Sequence, residues 1–416
     1  MFLARILPER VRAAVRNCRD PWLQRAGRLL VLMSPMIPKK QSLVLFGNRR
    51  GDYYADNSRH LFEWMLAHRE DVDPVWVTRS EAVVRQLKQS RLPVARLSSL
   101  RGLWLLSRAR VAFLTCRLED IAMDESFIPE SLKVIFLTHG SPGVKGIALA
   151  LRDPKESAMW RRMLGRFHSV TNCAIATSPF MAQLTEKCWG VRAEVTGYPR
   201  NDILLSPTEA AKVAWESYLA GARFRRVVLY APSWRHEREP TRFFPFADFD
   251  RAGLFDFLRR HEMLLLLRPH AEDMRRYPEV KSFINDLVSD GGSVRSVSHD
   301  VYPDVDTLLP FVDVLISDYS SLYHDFLLLD RPLMFVPYDY EEFSRRNGFM
   351  YDYFENLPGP AVQSFRDFCQ HLDSLSHGED PFRNNRQALR DKVHTYKDAN
   401  SCERVAALLD RVLQEK

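Results

Sequence analysis

From residue 41 onward, short apolar runs alternate with amphipathic stretches and polar turns. Strands are expected at 42–46, 75–77, 94–97, 111–114, 133–137, 173–177 and 194–195. Helices are expected between them at 58–68, 81–89, 100–107 and 179–188; in the first, Leu61, Phe62, Met65 and Leu66 fall on one face. A helix at 209–221 leads into a second alternation. Its strands are expected at 227–230, 264–267, 312–316 and 333–336, with helices at 249–261, 272–277, 304–311, 365–375 and 384–397. Short apolar strands alternating with helices signal parallel sheets covered by helices. The pattern predicts an α/β protein of two Rossmann-like doubly wound domains, 41–206 and 207–377, facing each other across a cleft, with helices over 378–416. No fixed-period repeat and no low-complexity tract interrupts it.

Residues 1–40 follow another rule. Arg5, Arg10, Arg12, Arg16, Arg19, Arg25, Arg28, Lys39 and Lys40 face only Glu9 and Asp20, so the rest of the 416-residue chain, whose formal net charge is +6, is near neutral. Phe2, Leu3, Ile6, Leu7, Val11, Val15, Trp22, Leu23, Leu29, Leu30 and Met33 interleave with these bases. That composition suits a basic amphipathic helix, broken near Pro21, lying on an anionic membrane surface. The apolar run at 29–33 is far short of the ~20 residues a transmembrane helix needs, and no clean apolar core marks a signal peptide. The same residues also fit an ordinary helix packed on the first domain with a solvated basic face. Apolar content of 46% and charged content of 27% are those of a soluble globular protein. The six cysteines (Cys18, Cys116, Cys173, Cys188, Cys369 and Cys402) form no CxxC pair, which argues for a reducing compartment and against a zinc site.

The stretch with the densest chemistry is 312–332, VDVLISDYSSLYHDFLLLDRP. A strand ends at Ser317-Asp318-Tyr319-Ser320-Ser321 and a helix follows, since Leu322, Phe326, Leu327 and Leu329 recur at helical spacing. Free backbone N–H groups and two hydroxyls at a strand's carboxyl end suit a phosphate. Asp318 or Ser320 taken alone reads as an N-cap. Other strand exits repeat the theme. The strand at 133–137 runs into Thr138-His139-Gly140-Ser141-Pro142-Gly143-Val144-Lys145, where His139 is placed for proton transfer, Gly140 allows close backbone approach and Lys145 adds charge near a phosphate. A histidine in a turn is, on its own, more often structural. The strand at 227–230 runs into Ser233, Trp234 and Arg235, and the strand at 264–267 into Arg268, Pro269 and His270. Gly197-Tyr198-Pro199-Arg200-Asn201-Asp202 closes the first domain, and reads either as a turn or as a further acceptor-side contact through Arg200. Cations and hydroxyls with no carboxylate cluster suit a nucleoside diphosphate held without a dedicated metal cage, so no metal and no cofactor is expected. Neither GxxxxGK[ST] nor GxGxxG occurs, which excludes a P-loop and the usual dinucleotide fingerprint. The bases cluster at one end without a nucleic-acid-binding module, so no nucleic-acid partner is expected.

Seven segments in order, FGNRRGDYYADN, THGSPGVK, TGYPRND, YAPSWR, LRPH, LISDYSSLYHDFLLLDRP and YDYEEFSRRNGF, resemble the CDP-glycerol glycerophosphotransferase family of teichoic-acid and capsule polyol-phosphate transferases. The resemblance implies a GT-B-type fold and transfer of glycerol phosphate from CDP-glycerol to a lipid-linked or capsular saccharide acceptor, with release of CMP. It implies His139 as general base and His270 as an aid at the donor phosphates. Asp318, Ser320 and Ser321 would bind the diphosphate, with Arg235 a further phosphate contact; Ser233 and Arg268 are expected on the donor side from their own positions at strand exits. Together with the basic N-terminal segment, the expected location is the cytoplasmic face of the bacterial inner membrane, as a peripheral enzyme. Thr138, Ser141 and Gly146 depart from the family's more usual residues around the His-Gly segment, which leaves the acceptor open. CDP-glycerol and CDP-ribitol present the same CDP group, so the polyol is open too. The chain holds two domains and little more, which favours a single-addition or linker-forming enzyme over a long-chain polymerase. The competing readings are a nucleotide-sugar glycosyltransferase on the same scaffold and a catalytically silent membrane-associated scaffold.

Overall fold

The computed structural model describes residues 21–235, 239–288 and 292–415. Residues 1–20, half of the expected basic amphipathic segment, lie outside the described residues. The first sheet comprises β1 (Leu43–Phe46), β2 (Asp73–Thr78), β3 (Val94–Arg96), β4 (Val111–Leu114), β5 (Lys133–Phe136), β6 (Thr171–Ala176) and β7 (Ala193–Val195). The second comprises β8 (Arg226–Tyr230), β9 (Met263–Leu267), β10 (Val294–Ser296), β11 (Val314–Ser317) and β12 (Leu333–Phe335). Their spatial orders are β3-β2-β1-β4-β5-β6-β7 and β10-β9-β8-β11-β12. Every strand pairing is parallel; Leu45 lies opposite Val75 and Ala112, and Leu315 opposite Leu229 and Leu333. These are doubly wound sheets, as the alternation predicted. In each, the strand order reverses beside the first strand, between β1 and β4 and between β8 and β11, and such switch points carry ligands at the strands' carboxyl ends.

The central strands are apolar throughout because helices cover both faces. Val44, Leu45, Phe46, Phe113, Ile135, Leu265 and Ile316 are all completely buried. Each such side chain contributes roughly 1.5–3 kcal/mol relative to exposure. One apolar cluster joins the halves: Val144, Ala176 and Met181 from the first side pack with Leu229, Leu315, Tyr323 and Phe335 from the second. The helix Ser401–Gln414 returns to the first sheet, where Val405, Leu409 and Val412 join Leu61, Phe62 and Phe113. Asp202 accepts from the Ser401 and Cys402 amides at 2.9 and 2.8 Å, capping that helix from a distant part of the chain.

Several elements differ from the sequence expectation. The helix expected at 304–311 is a set of turns ending in one 3-10 turn, Leu309–Phe311. There Asp304 accepts from the Asp306 amide and Thr307 donates to the Asp304 carbonyl, while Pro310 lies within the 3-10 turn near its start. Such local side-chain bonds compete with helix formation. The helix after Ser321 is short, Leu322–Phe326, and tightens into a 3-10 turn, Leu327–Leu329. Helices at Pro154–Met163, Pro278–Val288 and Tyr340–Asn347 and strand β10 are additions.

Candidate active site

The carboxyl ends of both sheets open onto one pocket of about 240 Å³. Its first-domain wall holds Arg49, Tyr53, Asp56, His139 and Arg200; its second-domain wall holds Arg268, His270, Asp306, Ser320 and Ser321. Six of the residues singled out from the sequence therefore meet here: His139, Arg200, Arg268, His270, Ser320 and Ser321.

His139 sits just past β5 and is oriented by its neighbours. Nδ1 bonds to Oδ2 of Asp56, and Arg49 Nη2 lies 2.5 Å from Nε2. A guanidinium only donates and a carboxylate only accepts, so the two partners fix the tautomer: Nδ1 carries the proton and Nε2 carries the lone pair. Enclosure by the cleft and the adjacent Arg49 cation push the imidazole below its ordinary value, against the pull of Asp56. A neutral imidazole whose lone pair faces a pocket is the state a general base needs. Burial would raise the Asp56 carboxyl, but Arg200, His139 and Arg49 outweigh it and hold it well below the usual range.

Asp56 opens the helix Asp56–His68 with a left-handed backbone (φ +66°), and Thr138, next to the base, is left-handed too (φ +54°). Non-glycine residues in that region cost roughly 1–3 kcal/mol each and persist only where the surroundings impose them. Asn57 supplies part of the restraint, donating to the carbonyls of Leu137 and Thr138 at 2.9 and 3.1 Å. Arg200 supplies the rest. Its guanidinium donates to Asp56 at 2.8 Å, to the His139 carbonyl at 2.9 Å and to Asp325 of the second domain at 2.7 Å. Arg200 is thus a buried tie between the base and the facing domain.

On the donor side, His270 stacks on Trp234 with ring centroids 4.9 Å apart, and its Nδ1 accepts from the Glu272 amide at 3.2 Å. Nε2 therefore carries the proton. Surrounding protein and the nearby cations push this imidazole down to about 4, so it is a neutral hydrogen-bond donor at neutral pH. Arg268 donates to the carbonyls of Val297, Tyr302 and Pro303 and fixes the loop behind the pocket. Ser320 accepts from the Leu322 amide, and Ser321 meets the first domain: a Cβ on Gly140 would fall 2.8 Å from the Ser321 hydroxyl. Glycine at 140 is what lets the two strand exits touch.

Ser233, Arg235 and Asp318 stand behind the pocket wall and not on its surface. Asp318 accepts from the Ser233 amide, the Tyr319 amide and Arg235. Arg235 is completed by Asp339 and lies over the rings of Tyr319, Tyr338 and Phe343. The expected phosphate contact of Arg235 gives way to a buried strut, because its guanidinium is already committed to two carboxylates. Lys145 forms an isolated antiparallel bridge with Phe349 of the second domain, and burial pushes its amine down to about 8.

The sequence reading passed over Arg49, Asp56, Asp325 and the Asp304–Asp306 turn. The first two lie inside FGNRRGDYYADN, whose order matched the family while its chemistry stayed silent. His60, Asp304 and Asp306 bring one ligand atom each within 4.8 Å of one another, a mixed set of one imidazole and two carboxylates for a divalent cation. Arg59 competes for Asp304 at 3.1 Å.

A family model described as CDP-Glycerol:Poly(glycerophosphate) glycerophosphotransferase matches residues 29–411. The teichoic acid glycerol-phosphate transferase of Staphylococcus aureus (strain NCTC 8325 / PS 47) is 25% identical over 389 residues, 89% of this chain and 92% of that protein. The teichoic acid poly(glycerol phosphate) polymerase of Bacillus subtilis (strain 168) is 24% identical over 376 residues, 87% of this chain and 48% of that protein. A teichoic acid ribitol-phosphate polymerase of the same S. aureus strain, TarK, is 25% identical over 384 residues, 90% of this chain and 69% of that one. Among solved structures, the wall teichoic acid polymerase TagF aligns with a TM-score of 0.75 over 98% of both chains at 19% identity, which establishes a shared fold. The chain belongs to the CDP-glycerol:poly(glycerophosphate) glycerophosphotransferase family and is a transferase.

Proposed function

We propose that the chain transfers glycerol phosphate from CDP-glycerol to a hydroxyl of a saccharide acceptor in teichoic-acid-type polymer synthesis, with His139 as the base. The observation that carries this reading is the Asp56–His139 pair, its tautomer fixed, facing His270, Ser320 and Ser321 across one pocket. The acceptor hydroxyl gives its proton to Nε2 of His139 as its oxygen attacks the β-phosphorus. The bond from that phosphorus to the bridging oxygen breaks, and CMP leaves with the bridging oxygen and its electron pair. Nε2–H of His270 and the two serine hydroxyls stabilise the charge that develops on the phosphates. Positioning and electrostatics supply most of the rate, and a general base typically adds ~10²–10⁴-fold.

The experiment is CMP release by the purified protein from CDP-glycerol and CDP-ribitol in parallel, with a saccharide primer added or withheld. Primer-dependent CMP release from one donor is the expected result and selects the polyol. No release from either, with UDP released from a nucleotide sugar, would overturn the reading in favour of glycosyl transfer. Charge stabilisation here comes from side chains, so release is expected to survive EDTA. A loss restored by Mg²⁺ would instead give His60, Asp304 and Asp306 a metal.

Membrane docking is part of the same proposal. The helix Pro21–Met33 packs Leu23, Ala26 and Leu30 onto the first domain, while Trp22, Leu29 and Leu32 are 63, 57 and 78% exposed, followed by Met36 at 80%. An apolar ridge flanked by Arg25 and Arg28 suits an anionic lipid surface. No helix among the described residues is long and apolar enough to cross a membrane. The lipid-linked acceptor would be met at that surface, on the cytoplasmic face.

A further inference from the structure

The lone pair that the base must use is already occupied. Arg49 Nη2 lies 2.5 Å from Nε2 of His139, closer than its 3.5 Å approach to Nδ1. An acceptor hydroxyl therefore cannot reach Nε2 until Arg49 moves. The other pocket arginines are committed elsewhere: Arg200 to Asp56 and Asp325, Arg268 to three carbonyls. Among the described residues, the hydrogen bonds of the Arg49 guanidinium go to the imidazole; it also lies over the Tyr53 ring, 5.7 Å away, and attracts the Asp56 carboxylate, which is itself bonded to His139 and Arg200. Tyr53 in turn meets His299 of the second domain edge-on at 5.3 Å. Arg49 also sits on a short loop in which Arg49, Arg50 and Gly51 all have positive φ (42, 62 and 77°). It is thus a cation lining the pocket whose hydrogen bond is to a neutral acceptor.

We propose that Arg49 is a donor-sensing latch: it caps Nε2 of His139 in the free protein and moves onto the donor's diphosphate when that binds, uncovering the base for the acceptor. A guanidinium forks onto two phosphate oxygens and gains the attraction of their negative charge, neither of which a neutral imidazole offers, and that supplies the direction of the exchange. One movement then binds the donor and frees the base, so the donor binds before the acceptor. The inference rests on the phosphotransferase reading of the pocket.

The groups that face His139 are Asp56 from the following helix, Arg49 from the loop after β1, Arg200 from the turn at 199–201 and, across the cleft, His270. Removing Arg49 takes away a cation that disfavours the imidazolium, so the His139 titration moves to higher pH. The test uses Arg49→Gln and Arg49→Lys in the full chain, reading steady-state CMP release with CDP-glycerol and primer together with NMR titration of ¹³C-labelled histidines, His139 being identified by its loss in His139→Gln. For the wild type, CDP-glycerol alone is expected to raise the His139 titration point. In Arg49→Gln the free protein already titrates higher, CDP-glycerol shifts it less, and the donor KM rises about 10- to 100-fold, with Arg49→Lys recovering part of the loss. Wild-type donor KM and an unmoved His139 titration in Arg49→Gln would overturn the latch while leaving phosphoryl transfer intact. Wild-type protein that releases no CMP would instead overturn the underlying reading.

Discussion

Asp56 decides what His139 can do. By holding Nδ1–H it keeps the lone pair on Nε2, and an amide in its place no longer enforces that tautomer. Asp56→Asn is expected to lower kcat by about 10²–10⁴-fold while the fold persists, measured by CMP release beside circular dichroism. Because the His139 imidazole is held below its ordinary value of about 6.5, the base stays neutral into mild acid. The acid limb of kcat/KM should therefore lie below that value, and a limb above it would point to another group. Arg200 carries a structural burden as well, since its guanidinium pairs with Asp56 and Asp325 with 6% of its side chain exposed. Arg200→Ala leaves two buried carboxylates without their cation and should cost about 3–5 kcal/mol in chemical denaturation. The folded Asp56 carboxyl is depressed, so its contribution is full above the unfolded value of about 3.9 and is lost as pH falls through the folded value.

At the scale of elements, the strand exits carry the chemistry, and most were legible. The apolar runs of β1, β4, β5, β8, β9 and β11 are bounded by polar residues, so both strand and exit could be read from the pattern. The segment at 304–311 misled because Val305, Leu308, Leu309 and Val312 have helical spacing, while Asp304 and Thr307 satisfy the backbone locally. That turn matters, since it brings Asp304 and Asp306 to the pocket. The touching of two exits at Gly140 and Ser321 gives a direct test. Gly140→Ala places a methyl 2.8 Å from the Ser321 hydroxyl, so one exit must shift. A drop in kcat of about 10- to 100-fold is expected with little change in melting temperature, because a small misplacement of reacting groups is costly in rate. Unchanged turnover would show that the contact is slack.

At the scale of the molecule, two sheets are locked by a shared apolar cluster, by the Arg200–Asp325 and Arg59–Asp304 ion pairs and by the returning C-terminal helix. The outer surface of the helix Pro21–Met33 and the turn after it carry the exposed ridge of Leu29, Leu32 and Met36. Replacing Leu32 and Met36 by Asp should lower co-sedimentation with anionic vesicles several-fold while leaving CMP release from a soluble primer unchanged. The remaining binding should weaken with salt, as charge attraction to lipid does. Binding that ignores both the substitutions and the salt would remove this ridge from the proposal.

The amino-acid sequence by itself determined the alternation of elements, the doubly wound class and the positions of His139, His270, Ser320 and Ser321 at strand ends, because periodicity and strand termini are local properties of the chain. It also carried the family resemblance, through short motifs in order. What tertiary structure decided is which polar residues face the pocket and which brace it. Arg235 and Asp318 read as ligand contacts in sequence, yet they satisfy each other behind the wall. Arg49 and Asp56 read as loop residues, yet they set the state of the base. A side chain's charge is written in the sequence, but its partner is chosen by residues about 80 to 150 positions away, and only the folded chain brings those together.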